Sequence, residues 1–560
     1  MNPAAEPDSL LVLPDQLCLD AGPVATMVGS GGGGRVVLVE SGEWLTRRPY
    51  HRQRIALILL NLRAFAEELH SAGLSVAWLR GEGSMRDLLE SWLQAHPGVR
   101  LQGIEPAERE MRQELAPLLA DRRLSWGRNP FFLTDHAIFE NACGRGAKAR
   151  FRMDTFYRKV RAATGLLMDD DGSPEGGRIS FDAENRQPWK GDPRAPIPPR
   201  FPMSDLRRAV AREIESRFST HPGTLDIEAL PATQEDAVRL WSWAKSECLE
   251  HFGPYEDAMS RRSRGLFHTR ISPVLNLGRI LPHRLVDDVA AMTDLPLPSR
   301  EGFIRQVIGW REFVRHVHDA TDGLRTIRGE PCGTREAPGD GGWSAWSGRT
   351  WVASAPPPPE IDGGSDANAL GRGVGVPPAF WGRESGLACL DHVVSDVWAE
   401  GWSHHITRLM VLGNIASLLD VSPRDLADWF WIAYADAWEW VVEPNVMGMA
   451  TWGLGGAMTT KPYVAGSAYI DRMSDSCREC RFSPKAGRAN SCPLTRLYWA
   501  YLDRHEPILR DNPRLGVVMQ AMRKRADAER ARDRAVFSRV QSLLIEGKPV
   551  PANVVSEVSD

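Results

Sequence analysis

The sequence has 560 residues, of which 42% are hydrophobic and 25% are charged, and its formal net charge is −4. These values are typical of a globular chain with room for two or three domains, and they argue against wholesale non-specific binding to nucleic acid while leaving room for a local basic groove. No apolar run approaches the roughly 20 residues that a membrane-spanning helix needs, so we expect no membrane contact.

The first part of the chain alternates strand-like with helix-like segments. Short apolar runs predict strands at 10–13, 36–39, 74–79, 99–104 and 123–126, and amphipathic segments predict helices at 51–69, 85–93 and 106–119. This alternation is typical of a mostly parallel sheet with crossover helices. Ligands on such sheets bind beyond the carboxyl ends of the strands, which directs attention to Asp15, Gln16 and Glu40.

Two runs in the first 200 residues have the composition of a ligand site. The glycine-rich run from Gly29 to Gly34 precedes a strand rather than following one, which favours a flexible loop over a phosphate-binding loop. The three carboxylates at 169–171 are better explained as a solvated turn than as a metal site. They lie in a Gly/Pro/Asp-rich connection, 129–202, and connections this long are usually functional or cover another domain.

From residue 206 to about residue 544 the pattern is helical, with no alternating strands. The segment 268–278 places hydroxyls and a proline at a helix start, where free backbone N–H groups favour an anion such as a phosphate. A capped structural helix explains it equally well. The segment 303–318 sets Gln306 and Arg311 near a tryptophan, which suits a nucleic-acid or flavin contact or a plain amphipathic surface helix.

A second unusual region begins with the Pro/Gly-rich stretch 328–380, which lacks periodicity and predicts a mobile loop or a draped insertion. The helical stretch after it carries Cys389 and then the adjacent pair His404 and His405. Neighbouring residues point about 100° apart on a helix, so at most one of the pair faces the core fully. The other becomes a candidate for proton transfer.

Tryptophan is unusually frequent, with 20 residues against 8 tyrosines, and nine of the 20 lie between Trp381 and Trp499. The excess therefore belongs to one region. Its densest part is 428–453, where Asp436 is a carboxylate inside an otherwise apolar helical pattern. Plain packing is the alternative to a redox role, because aromatic side chains fill helical cores well.

Cys477, Cys480 and Cys492 form a C-x2-C-x11-C run. A zinc site or a cubane iron–sulfur cluster takes four ligands, and Cys389 is the best candidate for the fourth. A metal or cluster is favoured over a C-x-x-C redox pair. A disulfide is disfavoured, because nothing at the N-terminus resembles a signal peptide and intracellular thiols stay reduced. The spacing does not decide between zinc and iron–sulfur. The other cysteines are isolated, and we expect buried apolar or loop residues at Cys18, Cys143, Cys248 and Cys332.

Taken together, several segments resemble one family. The resemblance rests on the three-cysteine run and on the segments VLPDQL, MDTFYRKVR, DGSPEGGRISFDAENR, RQVIGWREF, HHITRLMVLGN, DAWEWVVEPNVMGM and KPYVAGSAYI. Together they are similar to the prokaryotic iron–sulfur members of the photolyase/cryptochrome superfamily, the bacterial (6-4) photolyases and related cryptochromes. The resemblance implies an α/β plus all-α fold. Its parts would be an N-terminal Rossmann-like parallel α/β antenna domain (1–135), a long connection (136–230), a helical domain for FAD and a [4Fe–4S] cluster (231–510, with the insertion at 330–380) and a C-terminal helical extension (511–560).

The resemblance also implies roles for individual residues. The cluster ligands would be Cys389, Cys477, Cys480 and Cys492. The flavin contacts would be His268, Thr269, Ser272, Gln306, Arg311, Asp436, Asn445 and Met447. His404 and His405 match the family's histidine pair at the lesion, with His405 as the principal proton donor. Trp381 and Trp429 match members of the photoreduction chain, in which Phe430 replaces the usual tyrosine. The antenna, 6,7-dimethyl-8-ribityllumazine, would lie near Asp15, Gln16 and Glu40.

The implied function is light-driven repair of a pyrimidine (6-4) photoproduct that has left the duplex stack. Photoexcited reduced FAD would donate an electron while a histidine moves a proton. The expected partner is UV-damaged DNA, and the expected state is a cytoplasmic monomer. One alternative is a blue-light cryptochrome photoreceptor with the same cofactors and no repair, against which the retained histidine pair argues. The other is a non-photochemical iron–sulfur protein that binds nucleic acid.

Overall fold

The computed structural model describes residues 9–31 and 33–557, and it begins with a parallel sheet. The strands are β1 (Ser9–Val12), β2 (Arg35–Ser41), β3 (Ser75–Gly81), β4 (Leu101–Ile104) and β5 (Leu124–Gly127). Their order is β3-β2-β1-β4-β5, and every pairing is parallel. The connecting helices are Gly22–Gly29, Gly42–Thr46, Arg52–Ser71, Met85–Ala95 and Arg109–Ala120. The five predicted strands and the crossover topology are confirmed.

The sequence pattern missed the helices Gly22–Gly29 and Gly42–Thr46. Helices of five to eight residues are marginal without tertiary contacts, so the local sequence carries little signal for them. The glycine-rich run that follows the first of these helices leads into β2 as the predicted loop, with Gly32 lying outside the described residues.

The helix Arg52–Ser71 is buried along most of its length. It was expected to be amphipathic, yet polar members such as Arg54 and Asn61 are buried together with its apolar residues. The Asn61 amide donates to the backbone carbonyls of Leu57 and Pro231 at 2.9 and 2.8 Å. The polar side of this helix is therefore covered by the rest of the chain, and its groups are hydrogen-bonded rather than solvated.

The Gly/Pro/Asp-rich connection, 129–202, contains the helices His136–Cys143 and Met153–Thr164, so it is less irregular than its composition suggested. The helix Asp205–Arg217 follows it, where the helical pattern was predicted to begin. The carboxylates at 169–171 are exposed. The Gly172 N–H donates to the Asp169 carbonyl at 2.9 Å, and the Ser173 N–H donates to the Asp171 carboxylate at 2.8 Å. This run is the predicted solvated turn.

The remainder is helical, as predicted, apart from a two-residue antiparallel ladder between Thr326–Ile327 and Glu330–Pro331. Its α-helices before the insertion are Gln234–Trp243, Leu249–Phe252, Ser272–Asn276, Pro282–Ala291, Leu297–Ile304 and Glu312–Ala320. Those within and after it are Trp343–Ser347, Ala388–Glu400, His405–Thr407, Asn414–Leu418, Pro423–Ala433, Glu439–Glu443, Ser467–Met473, Pro493–Arg504, Glu506–Leu509, Gly516–Arg523, Asp527–Ile545 and Val554–Glu557. Across the described residues, no helix combines the length and the apolar character needed to cross a membrane.

Four π-helical segments occur in this part, at Ala244–Cys248, Arg305–Arg311, Arg408–Gly413 and Pro444–Ala450. Two of them contain residues that the resemblance assigned to the flavin, and a third begins with Arg408, which pairs with Asp436. A π-helical turn widens a helix by one residue and is frequent at functional sites. These segments therefore mark where the helical part departs from regular packing.

The α/β part and the helical part share one continuous apolar core. Polar contacts also cross the seam. The Glu110 N–H donates to the Glu439 carboxylate at 2.9 Å, and the Glu439 N–H donates to the Glu108 carboxylate at 2.7 Å. Arg48 of the α/β part is fully buried, and its guanidinium lies 3.8 Å from the centre of the Trp431 ring of the helical part. The two parts are therefore held together by buried hydrogen bonds as well as by apolar packing.

The insertion 330–380 lies on both parts of the molecule. The Ser365 hydroxyl donates to the Leu324 carbonyl at 2.7 Å, and Arg335 pairs with Asp425 on the helical part. The Trp351 indole N–H donates to the Thr46 carbonyl of the α/β part at 2.8 Å. The segment therefore lies across both parts of the molecule, as the draped insertion predicted from its sequence would, and it has little regular secondary structure of its own.

The C-terminal extension packs on the helix Pro493–Arg504. Arg496 pairs with Asp533 at 2.8 Å, and the Arg504 guanidinium lies 3.4 Å from the centre of the Phe537 ring. Beyond this, the Val550 N–H donates to the Ser385 carbonyl at 2.8 Å. The end of the described chain is thus tied to the segment that leads into Cys389.

Candidate functional site

His404 and His405 follow the helix Ala388–Glu400, which ends at Gly401 with φ of 61°. His404 has extended backbone, and the short helix His405–Thr407 begins after it. The assumption that both histidines belong to one continuous helix is therefore wrong, because a left-handed glycine interrupts it. The expectation that only one of the two histidines faces the core is nevertheless met. His404 is 3% exposed, while the His405 side chain is 42% exposed.

A third histidine completes what we call the three-histidine cluster, His268, His404 and His405. The rings of His268 and His404 stack with their centroids 4.4 Å apart, and His268 meets His405 edge-on at 5.3 Å. Burial lowers the pKa of His268 and of His404 well below the usual value, and the neighbouring histidines add to this effect. Both are therefore neutral at neutral pH. His268 Nε2 and His404 Nδ1 have no hydrogen-bond partner among the described residues.

Two acidic residues border the three-histidine cluster, and the sequence pattern missed both. The His405 Nε2 atom lies 3.8 Å from the Asp257 carboxylate. Glu256 is buried, and burial raises the pKa of its carboxyl group. It accepts hydrogen bonds from Asn185 and from Gln306, which the resemblance had assigned to the flavin. Both acids lie in an irregular turn with no local motif, so only the tertiary fold identifies them.

Asp436 lies in the turn between Pro423–Ala433 and Glu439–Glu443, so its assignment to the interior of an apolar helix is wrong. The helix ends at Ala433, and the turn lets the carboxylate meet its partners. It accepts from the Ser272 hydroxyl at 2.6 Å and from the Arg408 guanidinium at 3.1 and 2.8 Å. A bidentate arginine pair of this kind fixes the orientation of the carboxylate.

Arg408 links this carboxylate to the three-histidine cluster. Its Nε donates to the Ser403 carbonyl at 2.8 Å, next to His404, and its guanidinium lies 4.0 Å from the centre of the Tyr434 ring. The Tyr434 hydroxyl is 2.8 Å from the Ser403 hydroxyl. Arg408 and Tyr434 carried no motif of their own in the sequence, and they are the links between the two halves of the site.

The helix that begins at Ser272 has only five residues. Its Ser272 hydroxyl is engaged by Asp436, and the Asn276 amide donates to the Asp436 carbonyl at 2.9 Å. Thr269 is buried just before it. In this structure the helix start therefore positions Asp436, and a role toward a phosphate stays a prediction.

The remaining residues assigned to the flavin divide into two groups. Asn445 and Met447 lie on the π-helical segment Pro444–Ala450, where the Asn445 amide donates to the Val441 carbonyl at 2.8 Å and Met447 is fully buried. Arg311 lies elsewhere, because it donates to the Phe131 carbonyl at 3.0 Å and its guanidinium lies 4.3 Å from the centre of the Phe132 ring. Among the described contacts, Arg311 is part of the seam with the α/β part rather than of the three-histidine cluster.

The three residues assigned to the antenna have different environments. Glu40 is bound by Arg63 at 2.7 Å and by Arg80 at 3.1 Å, and the Gln16 amide donates to the Ile104 carbonyl at 3.0 Å. Asp15 is buried, its Oδ1 atom has no partner among the described residues, and burial raises its pKa to about 7. Of these three residues, only Asp15 has a buried side-chain oxygen without a hydrogen-bond partner among the described residues.

Cys389, Cys477, Cys480 and Cys492 line one small cavity, so the fold brings the predicted ligands together. All are free thiols. Burial raises the pKa of Cys477 and of Cys492 to about 12. Thiols with a raised pKa stay protonated unless a cationic group binds their thiolates, which is what a metal centre does. Four thiolates are the donor set of a structural zinc ion and equally of a cubane iron–sulfur cluster.

Trp381 and Trp429 are both buried, but a third tryptophan stands between them. Trp398 stacks on Trp381 with ring centroids 4.8 Å apart and meets Trp429 edge-on at 6.0 Å. Phe430 stacks instead on Tyr434 at 5.3 Å. The sequence pattern did not single out Trp398, because its role depends on two rings distant in sequence.

Comparisons with known proteins agree with this architecture. A family model described as deoxyribodipyrimidine photo-lyase-related protein matches residues 10–229. The (6-4) photolyase of Agrobacterium fabrum is 32% identical over 492 residues, which cover 83% of this chain and 86% of that protein. An uncharacterized protein of Acanthamoeba polyphaga mimivirus is 35% identical over 66 residues, 12% of this chain and 54% of that protein.

Among solved structures, the chain is similar to a bacterial class III photolyase from Agrobacterium tumefaciens. The TM-score is 0.52 at 13% identity, and the match covers 98% of each chain. At this identity the likeness supports the fold, an α/β part followed by a helical part, and not an activity.

Proposed function

The chain belongs to the family of the Agrobacterium (6-4) photolyase, and we propose that it repairs pyrimidine (6-4) photoproducts in UV-damaged DNA by light-driven electron transfer. One observation carries the proposal beyond the family relationship. The three-histidine cluster presents one exposed ring, His405, over two buried neutral rings, beside the Asp436–Arg408 ion pair. Repair of this lesion needs a proton donor that reaches DNA and adjoins the electron source.

The residues of the site fit a bound FAD. Buried polar atoms without partners are unfavourable by about 1–3 kcal/mol each, so His268 Nε2 and His404 Nδ1 suit a polar ligand at this site. Asp436, Ser272 and Asn445 would supply the remaining contacts to it. The chemistry that FAD supplies when bound and reduced is the light-driven transfer of one electron to the lesion.

The protein's own contribution is positioning and proton transfer. A (6-4) lesion must leave the duplex stack to reach a buried site. His405 is the member of the three-histidine cluster that a lesion at the surface can touch, and its Nε2 atom lies 3.8 Å from the Asp257 carboxylate. His404 and His268 are kept neutral by burial, so they pack against His405 without adding positive charge. We assign the proton donation to His405 and its support to His404.

Two further groups belong to the proposal. The four thiols would hold a [4Fe–4S] cluster, which their assembly around one small cavity supports. A lumazine-type antenna would lie beside Asp15, which the unsatisfied buried carboxyl oxygen supports.

The test is a repair assay with an oligonucleotide that carries one (6-4) photoproduct. With the flavin chemically reduced, we expect blue light to restore the undamaged bases and darkness to leave the lesion unchanged. An oligonucleotide with a cyclobutane dimer is the matched control for lesion specificity. A flavin-loaded protein that leaves the (6-4) lesion intact under light would contradict the proposal and favour the photoreceptor.

A further inference from the structure

A cavity of about 220 Å³ is lined by the helices Pro493–Arg504 and Gly516–Arg523, and none of its lining residues has a role in the site described above. The first helix contributes Tyr498 and Tyr501 to it. Residues of the segments 461–464 and 515–518 form the other walls. We call it the Lys461–Arg514 cavity, after the two cationic side chains among its lining residues.

The Tyr501 side chain gives this cavity a buried polar group without a partner. Tyr501 is fully buried, and its hydroxyl has no hydrogen-bond partner among the described residues. Burial raises the pKa of Tyr501 to about 12, so the hydroxyl keeps its proton at neutral pH. Nearly all buried polar groups in folded proteins are hydrogen-bonded, so this hydroxyl indicates a ligand that accepts a hydrogen bond.

A buried positive charge acts on the same hydroxyl. Arg372 is 3% exposed, and its Nε and Nη1 atoms have no hydrogen-bond partner among the described residues. Asp420 is the carboxylate that acts on it, and that group is already paired with Arg504 and His505. After burial, the Arg372 charge is the largest influence on the pKa of Tyr501, and it lowers that pKa. A buried cation without its own counter-ion favours an anion nearby.

Two further cations belong to the cavity. Lys461 and Arg514 are exposed, and neither forms an ion pair with a carboxylate of the described residues. Asn512 joins the two segments that carry them. Its side-chain amide donates to the Thr460 carbonyl at 2.8 Å, and its side-chain oxygen accepts from the Arg514 N–H at 3.0 Å. The cavity therefore has a local excess of positive charge, although the net charge of the chain is −4.

The rest of the lining favours an organic anion over a bare ion. No side chain caps the helix Gly516–Arg523, so the free N–H groups of its first turn also favour an anion. Val517 is 87% exposed beside Arg514, and Tyr498 adds an aromatic ring, the kind of surface on which nucleobases stack. One water occupies about 30 Å³ of liquid, so the cavity has room for more than a phosphate alone. This combination suits a nucleotide.

The cavity lies within reach of the exposed ring of the three-histidine cluster. The segment after Lys461 leads to Tyr469, whose pKa is raised by burial and then by the Asp257 carboxylate, the group 3.8 Å from His405. Lys461 and Tyr469 are eight residues apart, so their Cα atoms are separated by at most about 29 Å. A DNA strand advances about 3.4 Å per nucleotide, so about a dozen nucleotides are enough to reach the cavity from His405.

We propose that the Lys461–Arg514 cavity binds one nucleotide, with both cations on its phosphate, the Tyr501 hydroxyl as a buried donor and the Tyr498 ring against its base. Two sources share this chemistry, a nucleotide of the DNA strand next to the lesion and a free mononucleotide. The first source rests on the proposed function, and the second does not. The short distance to His405 favours the DNA strand.

The first test measures the binding of deoxyadenosine monophosphate to the flavin-loaded protein in the dark, by titration calorimetry. We expect Arg514→Gln to weaken it by about 10-fold, because a charge-assisted hydrogen bond to the phosphate is lost. Arg100→Gln is the matched control, since Arg100 is an exposed arginine of the α/β part. Inorganic phosphate should bind more weakly than the nucleotide. Equal affinities for the two would show that the base makes no contact and would overturn the nucleotide assignment.

Tyr501→Phe removes the buried hydroxyl without changing a charge. We expect several-fold weaker nucleotide binding, with the thermal unfolding midpoint of the nucleotide-free protein at or above that of wild type, because the hydroxyl has no partner to lose. A lower midpoint would show that the hydroxyl serves the fold, and the assignment of a ligand to it would be wrong.

The second test measures binding of the (6-4) duplex in the dark at increasing salt. Arg514→Gln should raise the Kd and reduce the slope of log Kd against log salt by about 0.9, the value for one phosphate contact. Tyr501→Phe should raise the Kd and leave the slope unchanged. Dependence of the duplex alone on both variants assigns the DNA strand, and dependence of the mononucleotide assigns the free nucleotide. If neither probe responded to either variant, the proposal would be overturned.

These measurements need no light, so they separate this inference from the proposed function. A wild-type protein that binds the duplex through Arg514 and Tyr501 but leaves the lesion intact under light would contradict repair and support the nucleotide site. A wild-type protein that repairs the lesion, with both variants binding both probes as wild type does, would support repair and contradict the nucleotide site.

Discussion

His405 owes its position to one residue that is easily overlooked. Gly401 ends the preceding helix in a left-handed conformation, and this turn places His404 inward and His405 outward. The same turn lets His268, over 130 residues earlier in the chain, stack on His404. The exposed ring therefore rests on two neutral buried rings, and its exchange for a smaller side chain leaves those two in place.

We predict that His405→Ala lowers the rate of light-driven repair by about 10²- to 10⁴-fold, the range for loss of a positioned acid–base group. The flavin absorbance should stay that of wild type, because this side chain is the exposed member of the three-histidine cluster, at 42% exposure. His70→Ala, an exposed histidine on the helix Arg52–Ser71, is the matched control. Loss of flavin in His405→Ala would show that this residue binds the cofactor instead.

At this scale the sequence identified residues that stand in recognisable segments, such as His404, His405 and the four cysteines. It did not identify Asp257, Arg408 or Tyr434. Their roles arise from contacts between segments far apart in the chain, and each is an ordinary residue in its local context. Asp436 was identified, but in the wrong element, because an apolar pattern continues across the turn that contains it.

At the scale of elements, the insertion is the part whose conformation was least predictable. Its sequence is rich in proline and glycine and has no hydrophobic periodicity that would predict a helix or a strand. The segment nevertheless packs closely on the helix Pro423–Ala433. A Cβ atom at Gly341 would lie 2.6 Å from Trp429 Cα, and the φ of this glycine is 58°. Gly348 has a similar φ, 70°, and open space around it. A side chain at either glycine would strain the backbone, but only a side chain at Gly341 would also collide with Trp429. Comparing the two positions therefore separates backbone strain from steric overlap.

We predict that Gly341→Ala destabilises the fold more than Gly348→Ala. Both should lose about 1–2 kcal/mol from a left-handed alanine, and Gly341→Ala should lose about 1–3 kcal/mol more from overpacking against Trp429. The measurement is urea unfolding of both variants, with protease cleavage of the insertion as a local readout. Equal free energies of unfolding would contradict the close seating of the insertion.

The cysteine site is built from three elements, and its occupancy gives a second prediction. Cys389→Ser should leave the chain with little bound iron and without the visible absorbance of a cluster, since four thiolates are needed. Cys332→Ser is the control, because that thiol is isolated in the insertion. Full iron content in Cys389→Ser would mean that the fourth ligand is another group.

For the whole molecule, the alternation of strands and helices was enough to predict the sheet and its parallel topology. The seam between the two parts could not be predicted. It depends on buried polar contacts such as that of the His51 ring with the Trp398 carbonyl, 3.1 Å apart, and that of the His221 ring with the Tyr50 carbonyl at 2.8 Å. No local pattern marks a histidine as buried. His51 holds the α/β part against the helical part, and His221 holds the connection against the α/β part.

Those histidines predict acid sensitivity. Burial lowers the pKa of His51 and of His221 to about 4, below the value of about 6.5 in an unfolded chain. The unfolded state then binds more protons, so stability is fully present above about pH 6.5 and falls toward pH 4. Each group contributes up to about 1.4 kcal/mol per pH unit in that range.

The measurement is the thermal unfolding midpoint as a function of pH. Carboxyl groups with a raised pKa, Asp15 among them, act in the opposite direction, so the decisive comparison is with His221→Gln. That variant should show a shallower loss of stability on acidification than wild type. An identical slope would mean that His221 is not the group that takes up the proton.

The hydrogen bond from Val550 to Ser385 has a consequence for the order of assembly. The α/β part is complete in the first quarter of the chain, and domains generally fold in the order in which they are synthesised. The contact that closes over the segment before Cys389 comes from residues near the end of the chain. A nascent chain therefore cannot make this contact before residue 550 has left the ribosome, and by then all four cysteines have been synthesised.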